Sequence, residues 1–443
     1  MATNGGKRAR SEEEEVGTSV EQTDEDNGSV VKRQRTNRVM GKIHLQCLPH
    51  TDLIPEYAWC AYTQKAIRFV EMMRSEGFTV ITYSGDKYSS MIHRPPEAQN
   101  PNISWQVSDP IWRQTYEKTL PDLKQNFMPG DIFACIVSTQ VPLAQIAGFV
   151  NIIELGIGYS DVAAPFACFE SASWQASVYR HSLRDVTCGH VRRLDTVIPN
   201  SYRIHEYEMA SISERRSVQG GHYALFLARK IDVKGLQIAM AAVVEANKIL
   251  QSFGVAALKL KMAGGGNVPN TFVDYMKRNN YSMTEQTQTI VSSFVEEYPV
   301  VSGELKKNLL KYATALFMPT QYMGPFEGVH VEAMLSGVPA ITSSHGVYLE
   351  TIGKAPVEAA VPGYLCQTLS EYRDALVQCA LYRTDEQNNA TQKWAQSEFS
   401  TERCKRLYSR WIRKVCEMTA KPRNKKGEIV RIVDEVAEAL MME

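Results

Sequence analysis

Leu316-Phe-Met-Pro-Thr-Gln-Tyr-Met-Gly-Pro-Phe-Glu-Gly-Val-His-Val-Glu-Ala-Met-Leu-Ser-Gly-Val-Pro-Ala-Ile-Thr342 reads as strand, glycine-containing loop, short helix, glycine stop and second strand. The apolar run 315–318 is short and ends at Pro319, as a buried parallel strand would. Val331, Met334 and Leu335 recur at three- and four-residue spacing and mark one apolar helix stripe. Gly337 supplies a left-handed stop, Pro339 blocks continuation, and residues 340–342 resume as a strand. Between strand and helix, Gly324-Pro-Phe-Glu-Gly328 is a loop whose backbone can approach a ligand closely. Glu332, early in the helix, can accept hydrogen bonds from sugar or ribose hydroxyls.

Upstream, Tyr223-Ala-Leu-Phe-Leu-Ala-Arg-Lys-Ile-Asp-Val-Lys-Gly235 opens on an apolar run that suits a parallel sheet covered on both faces. Arg229 lies just beyond that strand. Lys234 follows five positions later, before a helix with Leu236, Met240, Val243 and Leu250 in register. Two cations at the carboxyl end of a strand would converge on a phosphate or diphosphate. The strand 259–263 leads into Gly264-Gly-Gly-Asn267, a turn, and 308–315 reads as a helix entering the opening stretch. After Thr342, Ser343-Ser-His-Gly346 can offer hydroxyls and amides to a diphosphate, and Glu350 follows.

These motifs resemble those of retaining GT-B glycosyltransferases of family four, which includes sucrose-phosphate synthase and many mannosyltransferases. The family pattern is Glu-Pro-Phe-Gly, a second Glu eight positions after the first, then Ala-Met-Ala/Ser-x-Gly-x-Pro-Val-Ile. Pro325, Phe326, Glu332, Ala333, Met334, Gly337, Pro339 and Ile341 match it; the first glutamate falls on Gly324, and the following glycine falls on Glu327. The family's Gly-Arg-x-x-x-x-Lys-Gly is matched by Arg229, Lys234 and Gly235, with Ala228 for its first glycine. The resemblance covers roughly residues 42–415. It implies an α/β fold of GT-B type: two doubly wound Rossmann-like domains facing across a cleft, and a C-terminal helix returning to the first. It implies donor diphosphate binding by Arg229, Lys234 and Gly346. Phe326, Gly328 and Val329 would lie along the donor sugar, and Glu332 would hold the ribose. Glu327 is placed to replace the absent first glutamate.

The first domain carries weaker signals. A strand at 43–48, a helix with Tyr62, Ala66, Phe69, Val70 and Met73 in register, and a strand at 78–83 form a βαβ unit. Its first loop holds His50 where a ligand would sit, so His50 is a second catalytic candidate, although a satisfied loop histidine reads as well. Residues 86–115, rich in proline, read as an irregular excursion. Strands follow at 131–137 and 150–155, the latter ending in Gly156-Ile-Gly158, a tight turn lacking the third glycine of a dinucleotide fingerprint. Glu170 and Trp174 are acceptor-side candidates; the plainer reading is a packed tryptophan beside a capping glutamate. Domains are expected at 41–210 and 211–395, helical spacing runs on to 420, and 421–443 reads as an amphipathic tail; the resemblance makes 396–420 the return helix, with Trp394, Phe399, Leu407 and Trp411 at its seam.

The composition, 44% hydrophobic and 22% charged over 443 residues, is that of a globular protein of two or three domains. Zero formal net charge argues against general affinity for nucleic acid or anionic membrane. Nine scattered cysteines without Cys-x-x-Cys argue against a disulfide framework or zinc site, and no run of about eighteen apolar residues predicts a spanning helix. The expected location is cytoplasmic. Residues 1–40 read as a disordered charged tail. There Lys7-Arg-Ala-Arg10 and Lys32-Arg-Gln-Arg35 look like a bipartite nuclear signal, with a nuclear import receptor as partner; a solvated tail accounts for them equally. No Asp-x-Asp stands at a strand end, so no metal and no cofactor is expected, and Arg229 and Lys234 would take the ion's place. The expected activity is transfer of a sugar from a UDP- or GDP-sugar to an acceptor. The alternatives are a GT-B protein that binds without turnover and a nuclear glycosyltransferase acting on modified bases or nuclear proteins.

Overall fold

A computed structural model describes residues 41–57, 60–88, 106, 108–159, 162–182, 192, 194–218, 221–265, 284, 289, 293–355 and 362–419. Both basic clusters, the C-terminal tail and most of the excursion after residue 88 lie outside the described residues, as do Gly266 and Asn267.

The first sheet holds β1 (Ile43–Gln46), β2 (Val80–Tyr83), β3 (Ile132–Cys135), β4 (Asn151–Ile157), β5 (Phe166–Phe169) and β6 (Thr196–Val197), in the order β2-β1-β3-β4-β5-β6. All of its pairings are parallel. Four helices join these strands: α1 (Ala61–Ser75), α2 (Pro110–Asn126), α3 (Val141–Ala147) and α4 (Ala172–Ser182). Parallel strands require such crossovers, and the helices bury both faces of the sheet. Two local expectations change here. The prolines around 110 do not extend the loop: Asp109 accepts from the Ile111 amide at 2.9 Å and Pro110 occupies the first turn, where a missing N–H costs nothing, so α2 begins there. The Gly156 segment is no turn, because β4 continues through it with a register shift between Glu154 and Ile157.

After α5 (Ile212–Ser217), the second sheet is built from β7 (Tyr223–Leu227), β8 (Lys259–Ala263), β9 (Val295–Tyr298), β10 (Ala315–Met318), β11 (Ala340–Ser343) and β12 (Gly363–Cys366). Its order, β12-β11-β10-β7-β8-β9, is again wholly parallel. The connecting helices are α6 (Leu236–Ser252), α7 (Gly303–Lys311), α8 (Val329–Leu335), α9 (Tyr348–Thr351) and α10 (Leu369–Leu381). The opening stretch folds as its periodicity predicts, with Gly337 left-handed at φ 67°. The preceding helix is α7, which stops at Lys311, earlier than the expected 315, because Ala315 already pairs with β7.

The C-terminal region forms α11 (Asp385–Phe399) and α12 (Thr401–Thr419), broken at Ser400. Cys404, Tyr408, Trp411, Ile412 and Val415 of α12 recur at helical spacing and are buried in the core of the first sheet, where Trp411 Nε1 donates to the Leu194 carbonyl at 2.6 Å. Of the four seam candidates, Leu407 and Trp411 pack on the first sheet. Trp394 and Phe399 precede the break and pack on the second. The chain thus crosses between the halves twice, and the crossings are tied together: Tyr202 N donates to Phe399 O at 2.8 Å and Thr401 N to Tyr202 O at 3.0 Å.

Candidate functional site

The candidate residues of the second half gather at the carboxyl ends of β7, β10 and β11, where open parallel sheets bind ligands. Lys234 is presented by the turn before α6. That turn needs glycine at 235, since a Cβ there would lie 2.0 Å from the Pro319 carbonyl oxygen. Lys234 Nζ donates to the two Glu327 carboxylate oxygens at 2.7 and 2.5 Å and to Tyr322 Oη at 3.1 Å, and sits 4.6 Å from the Tyr322 ring centre. The pair is nearly buried, with 7% and 9% of the two side chains exposed. Burial pulls the Lys234 ammonium below its ordinary value, and the Glu327 carboxylate opposes that pull. Tyr322 Oη also donates to Glu327. Arg229 is exposed, and among the described residues its guanidinium has no ion pair or hydrogen bond.

Glu327 is the only residue other than glycine with positive φ, at 59°, among the described residues. That conformation costs roughly 1–2 kcal/mol. A Cβ added to Gly324 would fall 2.4 Å from Glu327 Oε1 and 2.8 Å from its Cγ. The Glu327 side chain therefore fills the volume that a side chain at 324 would need. The left-handed turn is held from below by His330, which sequence reasoning did not single out. Its Nδ1 bonds the Glu327 carbonyl and its Nε2 lies 2.7 Å from Thr351 Oγ1. The carbonyl can only accept, so the proton sits on Nδ1 and Nε2 accepts from the hydroxyl.

This geometry predicts a pH effect. Burial pushes His330 down to about 4 from 6.5, so the unfolded state takes up the proton first. The stabilisation is whole above pH 6.5 and is lost as pH falls towards 4, a loss of about 3 kcal/mol. In denaturant unfolding, the gap in stability between wild type and His330→Gln narrows by about that amount between pH 7 and 4.

Glu332 is tied down as well. Lys306 Nζ reaches its two oxygens at 2.8 and 2.7 Å, and Tyr207 Oη donates at 3.3 Å. Phe326 turns inward: its ring is 1% exposed, 6.0 Å from Phe399, so it anchors the loop from the core rather than facing a sugar. Gly328 precedes α8, and its carbonyl accepts from Tyr202 Oη at 3.2 Å; Val329 is half-buried. Gly346 is left-handed at φ 59°. The Ser343 hydroxyl faces the core, taken up by Thr320 and Tyr372.

In the first half, His50 is half-buried in the loop after β1, and burial lowers it to about 4, which keeps the imidazole neutral. Glu170 does not cap α4. It is 4% exposed and paired with Lys65, whose Nζ also donates to the Gly156 carbonyl at 2.8 Å. The cap comes from Ser171, whose Oγ accepts from the Trp174 amide at 3.1 Å, while Trp174 Nε1 donates to Tyr159 O at 3.3 Å. No group of three His, Cys, Asp or Glu among the described residues is placed to hold a metal ion. Nor is any described helix long and apolar enough to cross a membrane.

Two doubly wound parallel sheets with a C-terminal helix returning to the first define the GT-B fold. No family model matches the sequence, and no curated protein does. Among solved structures, the chain is similar to sucrose-phosphate synthase from Thermosynechococcus elongatus, with a TM-score of 0.55 and 16% identity over 85% of this chain and 100% of that one. It is similar to Anabaena HepE in complex with UDP and glucose (0.53, 15% identity, 84% and 100% covered). It is also similar to the N-terminal domain of trehalose-6-phosphate phosphatase from Candida albicans (0.57, 12%, 86% and 98%). At such identities the likeness is one of fold.

Proposed function

We propose that the chain is a glycosyltransferase of the family-four type that transfers a sugar from a UDP- or GDP-sugar with retention of anomeric configuration and without a metal ion. The observation that carries this reading is the Lys234–Glu327 pair, with the Glu327 carboxylate in the side-chain volume of position 324. The family's first glutamate is thus supplied from three residues downstream, its strained backbone pinned by His330. In this reading Arg229 and Lys234 take the diphosphate, Glu332 the ribose and Glu327 the sugar hydroxyls. In the step itself the anomeric carbon–phosphate oxygen bond breaks and its electron pair leaves with the nucleoside diphosphate. The acceptor oxygen bonds the same face of that carbon, and its proton leaves with the diphosphate. Preorganised cations aimed at the developing charge contribute ~3 kcal/mol each toward the barrier.

Binding without turnover is a second reading, favoured by one fact: Lys234 is already engaged by Glu327 and Tyr322. A panel of UDP-, GDP- and ADP-sugars separates the two. A donor present at a hundred times its dissociation constant stabilises the protein by ~2.7 kcal/mol. Stabilisation together with release of nucleoside diphosphate is expected. Stabilisation without release supports the binding reading, and no shift with any donor refutes both.

A further inference from the structure

The two halves meet at a second place, away from the crossings at Tyr202 and Ser400. Glu350 of α9, four residues after Gly346, reaches the first residues of α4 in the other half. Its Oε2 accepts from the Ala172 amide at 2.8 Å, and its Oε1 from the Ser173 amide at 2.7 Å and the Ser173 hydroxyl at 2.6 Å. Beside it, Ser171 Oγ donates to the Pro325 carbonyl of the 324–328 loop at 2.7 Å. A carboxylate on amides at a helix N-terminus makes charge-assisted bonds and complements the helix dipole. None of these bonds can form unless the halves are together. They join the segment carrying Glu170 and Trp174 to the loop carrying Glu327.

We infer that Glu350 is a positioning residue: a latch that seats the α4 end of the first half against the donor loop of the second, and so completes the acceptor side of the cleft. The kinetic part of this inference rests on the glycosyltransferase reading; the structural part does not. The groups assigned to the donor, Arg229, Lys234 and Glu332, all belong to the second half, so loss of the latch leaves nucleotide affinity nearly unchanged. What it loses is the arrangement of the opposite wall.

The test uses the full chain with Glu350→Ala and Glu350→Gln. Amide exchange in the peptide spanning 166–175 rises at least tenfold in E350A and by an intermediate factor in E350Q, which keeps an acceptor oxygen without its charge. The midpoint of denaturant unfolding stays close to that of wild type. UDP dissociation constants stay within threefold, while release of UDP from whichever UDP-sugar turns over falls at least tenfold. Unchanged exchange at 166–175 in E350A overturns the latch, as does a UDP affinity that falls in step with turnover. If wild type binds neither UDP nor GDP, the glycosyltransferase reading and the kinetic role fall together, and the exchange result alone decides whether the latch exists.

Discussion

Replacing Glu327 with glycine lowers sugar transfer by on the order of 10²-fold, and adding Gly324→Glu to that variant restores most of it. The effect is steric before it is chemical. Side chains at 324 and 327 compete for one volume, because a Cβ at 324 lies 2.4 Å from Glu327 Oε1. Removing the Glu327 side chain vacates that volume and relieves a left-handed backbone strain of roughly 1–2 kcal/mol. It also leaves Lys234 without the carboxylate that balances its burial. In the double variant a carboxylate returns beside Lys234 on a backbone that glycine at 327 now suits. Gly324→Glu alone does the opposite, pressing two carboxylates into one space, and should both destabilise the fold and lower turnover. The rate of nucleoside diphosphate release from the donor reports all three. A double variant no faster than Glu327→Gly would show that the carboxylate's present position, and not only its presence, is required.

Lys234→Ala is expected to lower turnover by ~10²–10³-fold and stability by about 3 kcal/mol. The stability loss arises because Glu327, only 9% exposed, loses its cationic partner and keeps only the Tyr322 hydroxyl. Adding Glu327→Gln removes that charge, so the double variant recovers stability in denaturant unfolding but not turnover. Arg229→Ala supplies the contrast. Its guanidinium is exposed and unengaged among the described residues, so stability should change by less than about 0.5 kcal/mol while turnover still falls. If the turnover losses in the two lysine variants merely followed stability, Lys234 would be a structural residue with no part in the reaction.

The second half was legible because its signals are local. Strand, loop and helix follow one another between 315 and 342, and the 3.6-residue stripe and Gly337 fix where each ends. Arg229 and Lys234 lie in the short segment between β7 and α6 for the same reason. The first half was less legible where two rules compete. Prolines at 110 and 121 suggest a break, yet Asp109 caps a helix that includes both. The site's internal pairing is long-range and left no trace in spacing. Glu170 meets Lys65 of α1, Glu332 meets Lys306 of α7, and Glu350 meets α4 of the other half. Phe326 matches the family pattern, but only its burial against Phe399 shows that the loop, and not the ring, faces outward. The role of His330 depends on a carbonyl turned by a left-handed residue, which no propensity predicts.

The most direct measurement of the central claim is a crystal structure of the full chain with UDP. The expected result is a diphosphate within hydrogen-bonding distance of Arg229 and Lys234, with the ribose hydroxyls on Glu332 and Glu327 turned toward the sugar position. UDP bound elsewhere, or bound there with Lys234 still closed on Glu327 and no contact to the phosphates, would contradict it.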